Sequence, residues 1–206
     1  MNASRQAKPA SPQIGVSYMT SLPPSVVDDF IADITSDSID IEVRRHAGVF
    51  AGIQWLMPTA VFLVITHSYF NAIFSELGKD HYKLLKRAVA SLYHRMSTFR
   101  LGLYGTPGKI ADEPLYSVAF SILVVTGEEI NFKFLIQPEL SGADTTRALE
   151  EFFSLMESMF AGSVPPDVLA RLEQGRVVGH TLLLAFNFEK GTIVTVDPLP
   201  QLTRVP

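Results

Sequence analysis

The sequence predicts an α+β domain built on a mostly antiparallel sheet. Two pairs of apolar segments, each joined by a short polar turn, predict hairpins at about 116–137 and 181–196. The run at about 59–66 is rich in β-branched residues and free of charge, which predicts a strand buried on both faces. Amphipathic helical patterns lie between these strands, so we expect helices to pack on one face of the sheet.

The composition fits one sizeable core. The chain has 206 residues, of which 47% are hydrophobic and only 18% are charged, and this length suffices for one core. The low charge predicts an unusually apolar surface, which in many proteins is covered by a partner. There is no cysteine, which excludes disulfides and thiolate chemistry. The net charge of −4 provides no overall attraction to nucleic acids or anionic lipids.

Residues 1–20 are polar and contain two prolines, so they are predicted to form a flexible N-terminal tail. They lack the apolar segment of a secretory signal, and we therefore expect a cytoplasmic protein. Residues 21–200 are expected to form the single domain, opened by a helix over 26–34 that Ser25 would cap. The stretch 101–114 is rich in glycine and proline, which predicts a loop and a candidate point of subdivision.

The segment 47–74 contains no Lys, Arg, Asp or Glu and approaches the length that spans a bilayer. Pro58 divides it into two chemically different halves. The residues before Pro58 have apolar positions at helical spacing, which predicts an amphipathic helix from about Asp40 to Met57. The β-branched half after it is the predicted buried strand. The alternative is a membrane-active protein that inserts residues 47–74 into a bilayer.

The strongest helical periodicity in the chain begins at Ser68 and continues to Met96. A second amphipathic helix is predicted over 141–161, and a short one from Pro166 to about Gln174. His81 lies on the apolar stripe of the first of these helices, which predicts a core histidine held by a hydrogen bond.

Three residues are weak candidates for a catalytic or zinc site. Glu42 and His46 are four positions apart on the predicted helix, so their side chains would share one face. His67 follows the buried strand, at a position where loops often carry functional groups. The paired histidine spacing of zinc enzymes is missing, and no metal or cofactor is assigned.

A basic surface is predicted on the helix that begins at Ser68. Between residues 79 and 100 the chain has six Lys or Arg residues and one acidic residue, Asp80. Four of the basic residues form a candidate surface for an anionic ligand or a partner: Lys79, Lys83, Lys86 and Arg87. The alternative is a solvated helix face whose charges are balanced by acidic residues of another helix. Nucleic acid is not an expected partner, because no nucleic-acid motif accompanies these charges.

The motifs of common enzymes are absent. Gly108 and Lys109 imitate the end of a P-loop, but Leu103 stands where its first glycine belongs. No Gly-x-Ser-x-Gly elbow exists. Catalysis is therefore not favoured by the sequence.

These observations favour a non-enzymatic binding or assembly module that acts through apolar surface and self-associates. The alternative is an enzyme or a small-ligand sensor with a pocket near His46, His67 and the loop 101–114.

Overall fold

The computed structural model describes residues 12–37, 39–47, 59–73, 78–99 and 115–198, with only the backbone of 78 and 79. Its helices are α1 (Ser25–Ile34), α2 (His67–Ala72), α3 (Gly78–Ser97), α4 (Gly142–Phe160) and α5 (Pro166–Glu173). Its strands are β1 (Ile14–Met19), β2 (Ile41–His46), β3 (Val61–Thr66), β4 (Phe120–Val125), β5 (Asn131–Leu135), β6 (Val177–Val178), β7 (Thr181–Asn187) and β8 (Thr192–Thr195).

All of these strands belong to one sheet in the order β2-β1-β3-β4-β5-β7-β6, and β8 also pairs with β7. The α+β class is confirmed, but the prediction of a mostly antiparallel sheet is wrong because the sheet is mixed. The pairs β1/β2, β3/β4 and β5/β7 are parallel, and the other pairs are antiparallel. Each parallel pair is joined through at least one helix, as parallel strands require.

The core lies between one face of the sheet and the helices. The strands alternate, so that Val61, Leu63 and Ile65 of β3 are fully buried. The ring of Phe134 on β5 stacks on Phe152 of α4, with 4.4 Å between centroids. Helix α3 packs beside both α1 and α4, so these three helices lie side by side on the sheet.

Several local predictions are confirmed. Strand β3 occupies the predicted buried run, and the pairs β4/β5 and β7/β8 are the two predicted hairpins. The predicted helix over 141–161 is α4, whose N-cap residue Ser141 accepts a hydrogen bond from the backbone N–H of Asp144 at 3.1 Å. Ser25, in contrast, is the first residue of α1 and not its cap.

Two predictions near the N-terminus are wrong. Residues 14–19 are not part of a flexible tail, because they form β1 between β2 and β3. Residues 41–46 are not helical, because they pair in parallel with β1 as the strand β2. This pairing overrides the helical spacing of the apolar residues, as tertiary context often does. The remainder of both predicted segments, 1–11 and 48–57, and the loop 101–114 lie outside the described residues.

The described part of the chain contains no helix that is long and apolar enough to cross a membrane.

The second face of the sheet also has buried residues, and one of them is a lysine. Lys133 of β5 is 2% exposed and lies in register between Leu123 of β4 and Leu183 of β7. Its Nζ is 5.4 Å from the centroid of the Phe62 ring. Burial disfavours the charged amine and lowers the pKa of Lys133 to about 8.

We expect the Lys133→Met variant to change how stability depends on pH. The pKa of the amine is about 8 in the folded protein, against an ordinary value of 10.5. Between these values the unfolded chain binds more protons than the folded protein, so the free energy of unfolding of the wild type rises with pH. Methionine keeps the apolar stem without the charge, so the stability of the variant should not show this rise. The stability of the variant relative to that of the wild type should therefore fall by roughly 1 to 3 kcal/mol between neutral pH and pH 10.5.

Urea unfolding of both proteins at a series of pH values measures this effect. The exposed Lys190, changed to methionine, is the control and should leave the pH dependence unchanged. Parallel pH profiles of the wild type and Lys133→Met would show that the lysine is not desolvated as described.

Candidate functional site

The ends of β3 and β4 bring two chain segments together. The strands are parallel and end side by side, with Thr66 paired to Val125. Strand β3 continues directly into α2, whose first residue is His67, and β4 continues into the turn toward β5. A Cβ atom on Gly127 of this turn would lie 3.9 Å from Nδ1 of His67. The turn therefore packs against the histidine, and the φ of +81° at Gly127 is one that glycine tolerates.

Aromatic rings from α2 and α4 form one wall of the site. Phe160, the last residue of α4, stacks on His67 at 5.3 Å and on Phe70 at 4.2 Å between ring centroids. Phe70 is buried, whereas His67 is exposed. The stack therefore runs from the core outward and ends in an imidazole that solvent can reach.

Helix α5 closes the opposite side. A Cβ atom on Gly175 would lie only 2.5 Å from Cδ1 of Leu182, a distance that side chains do not tolerate. Glycine at this position thus allows the end of α5 to approach β7 closely. This approach places Leu172 and Glu173 beside Leu182 of β7.

These elements enclose a cavity of about 630 Å³, a size typical of small-molecule sites. Its lining residues are His67, Thr126, Glu128, Glu129, Ile130, Phe132, Met159, Phe160, Leu169, Leu172, Glu173 and Leu182. The buried part of the wall is apolar, with Phe132, Leu172 and Leu182. We call this space the His67 cavity.

The charged side chains among the described lining residues of the His67 cavity are all acidic. Glu128, Glu129 and Glu173 are exposed, and no lysine or arginine is among the lining residues that the structure describes. The hydroxyl of Thr126 donates to the carbonyl of Ile130 at 2.8 Å and accepts from the N–H of Glu128 at 3.1 Å, so it holds the turn in place. The polar groups left to meet a ligand are therefore carboxylates and the imidazole.

Of the predicted catalytic candidates, only His67 lies in the cavity. Glu42 and His46 lie on β2, which β1 separates from β3. His46 pairs with Met19 at the end of the sheet opposite to His67, more than about 20 Å away along the strands. Glu42 and His46 are four positions apart along the extended strand, which separates them by about 13 Å. The three residues do not come together to form a site.

His46 has its own environment at the far end of the sheet. Burial lowers the pKa of His46, and a backbone hydrogen bond to Thr59 opposes this shift. Its Nε2 is buried and has no hydrogen-bond partner in the part of the chain that the structure describes. Within the described ranges, no group of three or more His, Asp or Glu residues is placed to hold a metal ion.

The remaining histidine prediction and the basic surface have different outcomes. The predicted hydrogen bonding of His81 is confirmed, because its ring nitrogens contact the hydroxyl of Tyr69 at 3.0 Å and the carbonyl of Ile34 at 3.1 Å. The residue is half-buried and not part of the core. Lys83, Lys86 and Arg87 lie together along α3 and line a groove between α3 and α4. The side chain of Lys79 lies outside the described residues.

Sequence reasoning missed the acidic side of the cavity. Glu128 and Glu129 fit a solvated hairpin turn, and Glu173 fits the end of a short helix. Only the parallel pairing of β3 with β4 brings the turn beside His67. A signal was present in the chain, because the carboxylate pair comes three residues after the end of the largely buried strand β4.

Comparisons with models of protein families, with curated proteins and with solved structures find no match to this chain.

Proposed function

We propose that the protein is a non-enzymatic binding module whose ligand is a small aromatic amine held in the His67 cavity. One observation carries the proposal: an apolar cavity with an aromatic wall has only acidic charges among its described lining residues. An aromatic body and a positively charged group in one molecule would match both parts of the site.

The aromatic part of the ligand gains from burial. The exposed ring of His67 ends the stack with Phe160 and Phe70 and offers a further stacking surface. Removal of about 100 Å² of apolar ligand surface from water is worth about 2.5 kcal/mol. A ring stacked on His67 adds about 0.5 to 1.5 kcal/mol.

The amine selects the orientation of the ligand. Each exposed carboxylate contributes at most about 1 kcal/mol to an ion pair, so Glu128, Glu129 and Glu173 contribute more to selectivity than to affinity. Apolar burial, stacking on His67 and an ion pair together contribute about 4 to 5 kcal/mol. This free energy corresponds to a Kd of roughly 0.2 to 1 mM for a fragment-sized amine.

Apart from the imidazole and the carboxylates, the described lining residues offer no free nucleophile. The one hydroxyl among them belongs to Thr126, and it is engaged in the turn. No described lining residue supplies a serine, cysteine or lysine nucleophile.

Tryptamine and indole-3-acetate test the proposal, because they share a ring system and have opposite charges. Titration of isotope-labelled protein, followed by NMR, should show saturable binding of tryptamine at the cavity and at least tenfold weaker binding of indole-3-acetate. His67→Ala should lower the affinity for tryptamine about threefold to tenfold because it removes the stacking surface.

The double variant Glu128→Gln/Glu129→Gln should reduce the preference for the amine while leaving the apolar contacts. Glu189→Gln, in the β7–β8 turn at the other end of β7, is the matched control and should behave as the wild type. Equal affinity for the two indoles, or shifts that His67→Ala does not change, would disprove the proposed ligand class.

A second candidate function is self-association through the mouth of the same cavity. Ile130, Leu169 and Val177 are 38%, 42% and 41% exposed, and they are three of the five large exposed hydrophobic residues in the described part of the chain. Ile130 and Leu169 line the cavity, and Val177 pairs with the lining residue Leu182. An apolar patch around a cavity favours coverage by a second copy of the chain.

Native mass spectrometry of protein purified without detergent tests self-association and reports any retained small molecule. If the second candidate is right, a homodimer should dominate at micromolar concentration, since a stable interface buries upwards of about 1,000 Å². Leu169→Asp should shift it to monomer, whereas Leu115→Asp, at an exposed residue before β4, should not. A monomer at every concentration would exclude this candidate and leave the ligand proposal standing.

A further inference from the structure

A second concave site lies between α3 and α4, apart from the His67 cavity. It is a groove of about 330 Å³ lined by Lys83, Lys86, Arg87 and Ala90 of α3 and by Thr146, Leu149 and Glu150 of α4. Glu150 and Phe160 are ten residues apart on α4, so about 15 Å separates this groove from the aromatic wall of the cavity. We call it the α3–α4 groove.

Helical spacing makes three cations converge on the groove. Lys86 and Arg87 lie three and four residues after Lys83, so each of them shares a face of α3 with Lys83. Ala90 lies one turn further along the same face, and its small side chain leaves the groove open. The basic residues thus surround a concave space instead of spreading around the helix.

Tyr82 fixes the position of one of these cations. Its hydroxyl donates to the carbonyl of Phe153 on α4 at 2.6 Å, which holds the ring at the contact between the two helices. Nζ of Lys86 lies 4.9 Å from the centroid of this ring, within the range of a cation–π contact. The ammonium group is therefore held at the groove before any ligand arrives.

The positive charge of the groove is only partly neutralised. Lys83 forms an ion pair with Asp80 at 3.2 Å. Lys86, Arg87 and Glu150 have no ion pair with any residue in the described part of the chain. The described lining residues therefore have three positive charges and one negative charge, and like charges at this spacing repel each other.

We propose that the α3–α4 groove binds the phosphate groups of a small molecule. A phosphate supplies several acceptor oxygens, which the planar guanidinium of Arg87 can bind in pairs and the two ammonium groups can bind as point charges. Thr146 already donates its hydroxyl proton to the carbonyl of Gly142 at 2.9 Å, so the donors come from α3. The carboxylate of Glu150 repels the phosphate and therefore limits the affinity of the groove for it.

Calorimetric titration with pyrophosphate at about 50 mM salt, where exposed charges are weakly screened, tests the groove. Saturable binding with one site per chain is expected, and it should weaken at higher salt. Lys86→Met/Arg87→Met should lower the affinity at least tenfold. Arg176→Met/Lys190→Met makes the same change of net charge at exposed residues of other elements and should alter the affinity less than twofold.

Glu150 provides the sharper comparison. Glu150→Gln removes the one negative charge among the described lining residues. This change should increase the affinity for pyrophosphate twofold to fivefold. Glu151→Gln changes the neighbouring exposed residue, which does not line the groove, and should have no such effect. Equal effects of the two variants, or of the two double variants, would show that only net charge matters and would overturn the proposal.

Two further probes separate the sources of phosphate. Vesicles with phosphatidylserine and a single-stranded oligonucleotide are titrated under the same conditions. Binding of either one without saturable binding of pyrophosphate would also overturn the proposal, in favour of a membrane surface or a nucleic acid. Every variant should retain the urea unfolding midpoint of the wild type, because all the substituted side chains lie on the surface or at its edge.

Discussion

The parallel pairing of β3 with β4 is the contact on which the rest of the structure depends. It joins the strands before the segment 101–114 to those after it, through a register from Val61–Phe120 to Thr66–Val125. On the helix side it sets fully buried residues of both strands next to each other, including Leu63 and Ile122. Because both strands end at the same edge, the same pairing brings the start of α2 beside the β4–β5 turn. The core and the cavity are thus consequences of one register.

The sequence was most informative where structure is local. The hairpins β4/β5 and β7/β8 and the helix α4 were predictable because their turns, alternation and cap lie within short segments. Strand β3 was predictable for a different reason: its apolar run is continuous, although the strand is buried on one face and only half-buried on the other. Strands β1 and β2 escaped prediction because each owes its conformation to distant partners. On β2, Glu42, Arg44 and Arg45 suit an exposed edge strand, but the same pattern also suits a helix.

Only the part of the candidate site that follows a single strand was predictable from the sequence. His67 could be found because it directly follows a buried strand. The other walls come from α4, from the turn after β4 and from α5, and no local pattern shows that these meet. The contact between Gly175 and Leu182 illustrates the difficulty, because a glycine after a short helix usually indicates only the end of that helix. Assembly of the site therefore requires the sheet order as well as the elements.

The two proposed sites share α4 and have opposite charge. Exposed charges about 15 Å apart are largely screened at physiological ionic strength, where the Debye length is about 8 Å. Electrostatic coupling between an amine in the His67 cavity and a phosphate in the α3–α4 groove is therefore weak. Mechanical coupling would require α4 to move, and the stacking of its Phe152 on Phe134 of β5 resists that motion. The two sites should thus bind their proposed ligands independently, and the net charge of −4 conceals two local surfaces of opposite charge.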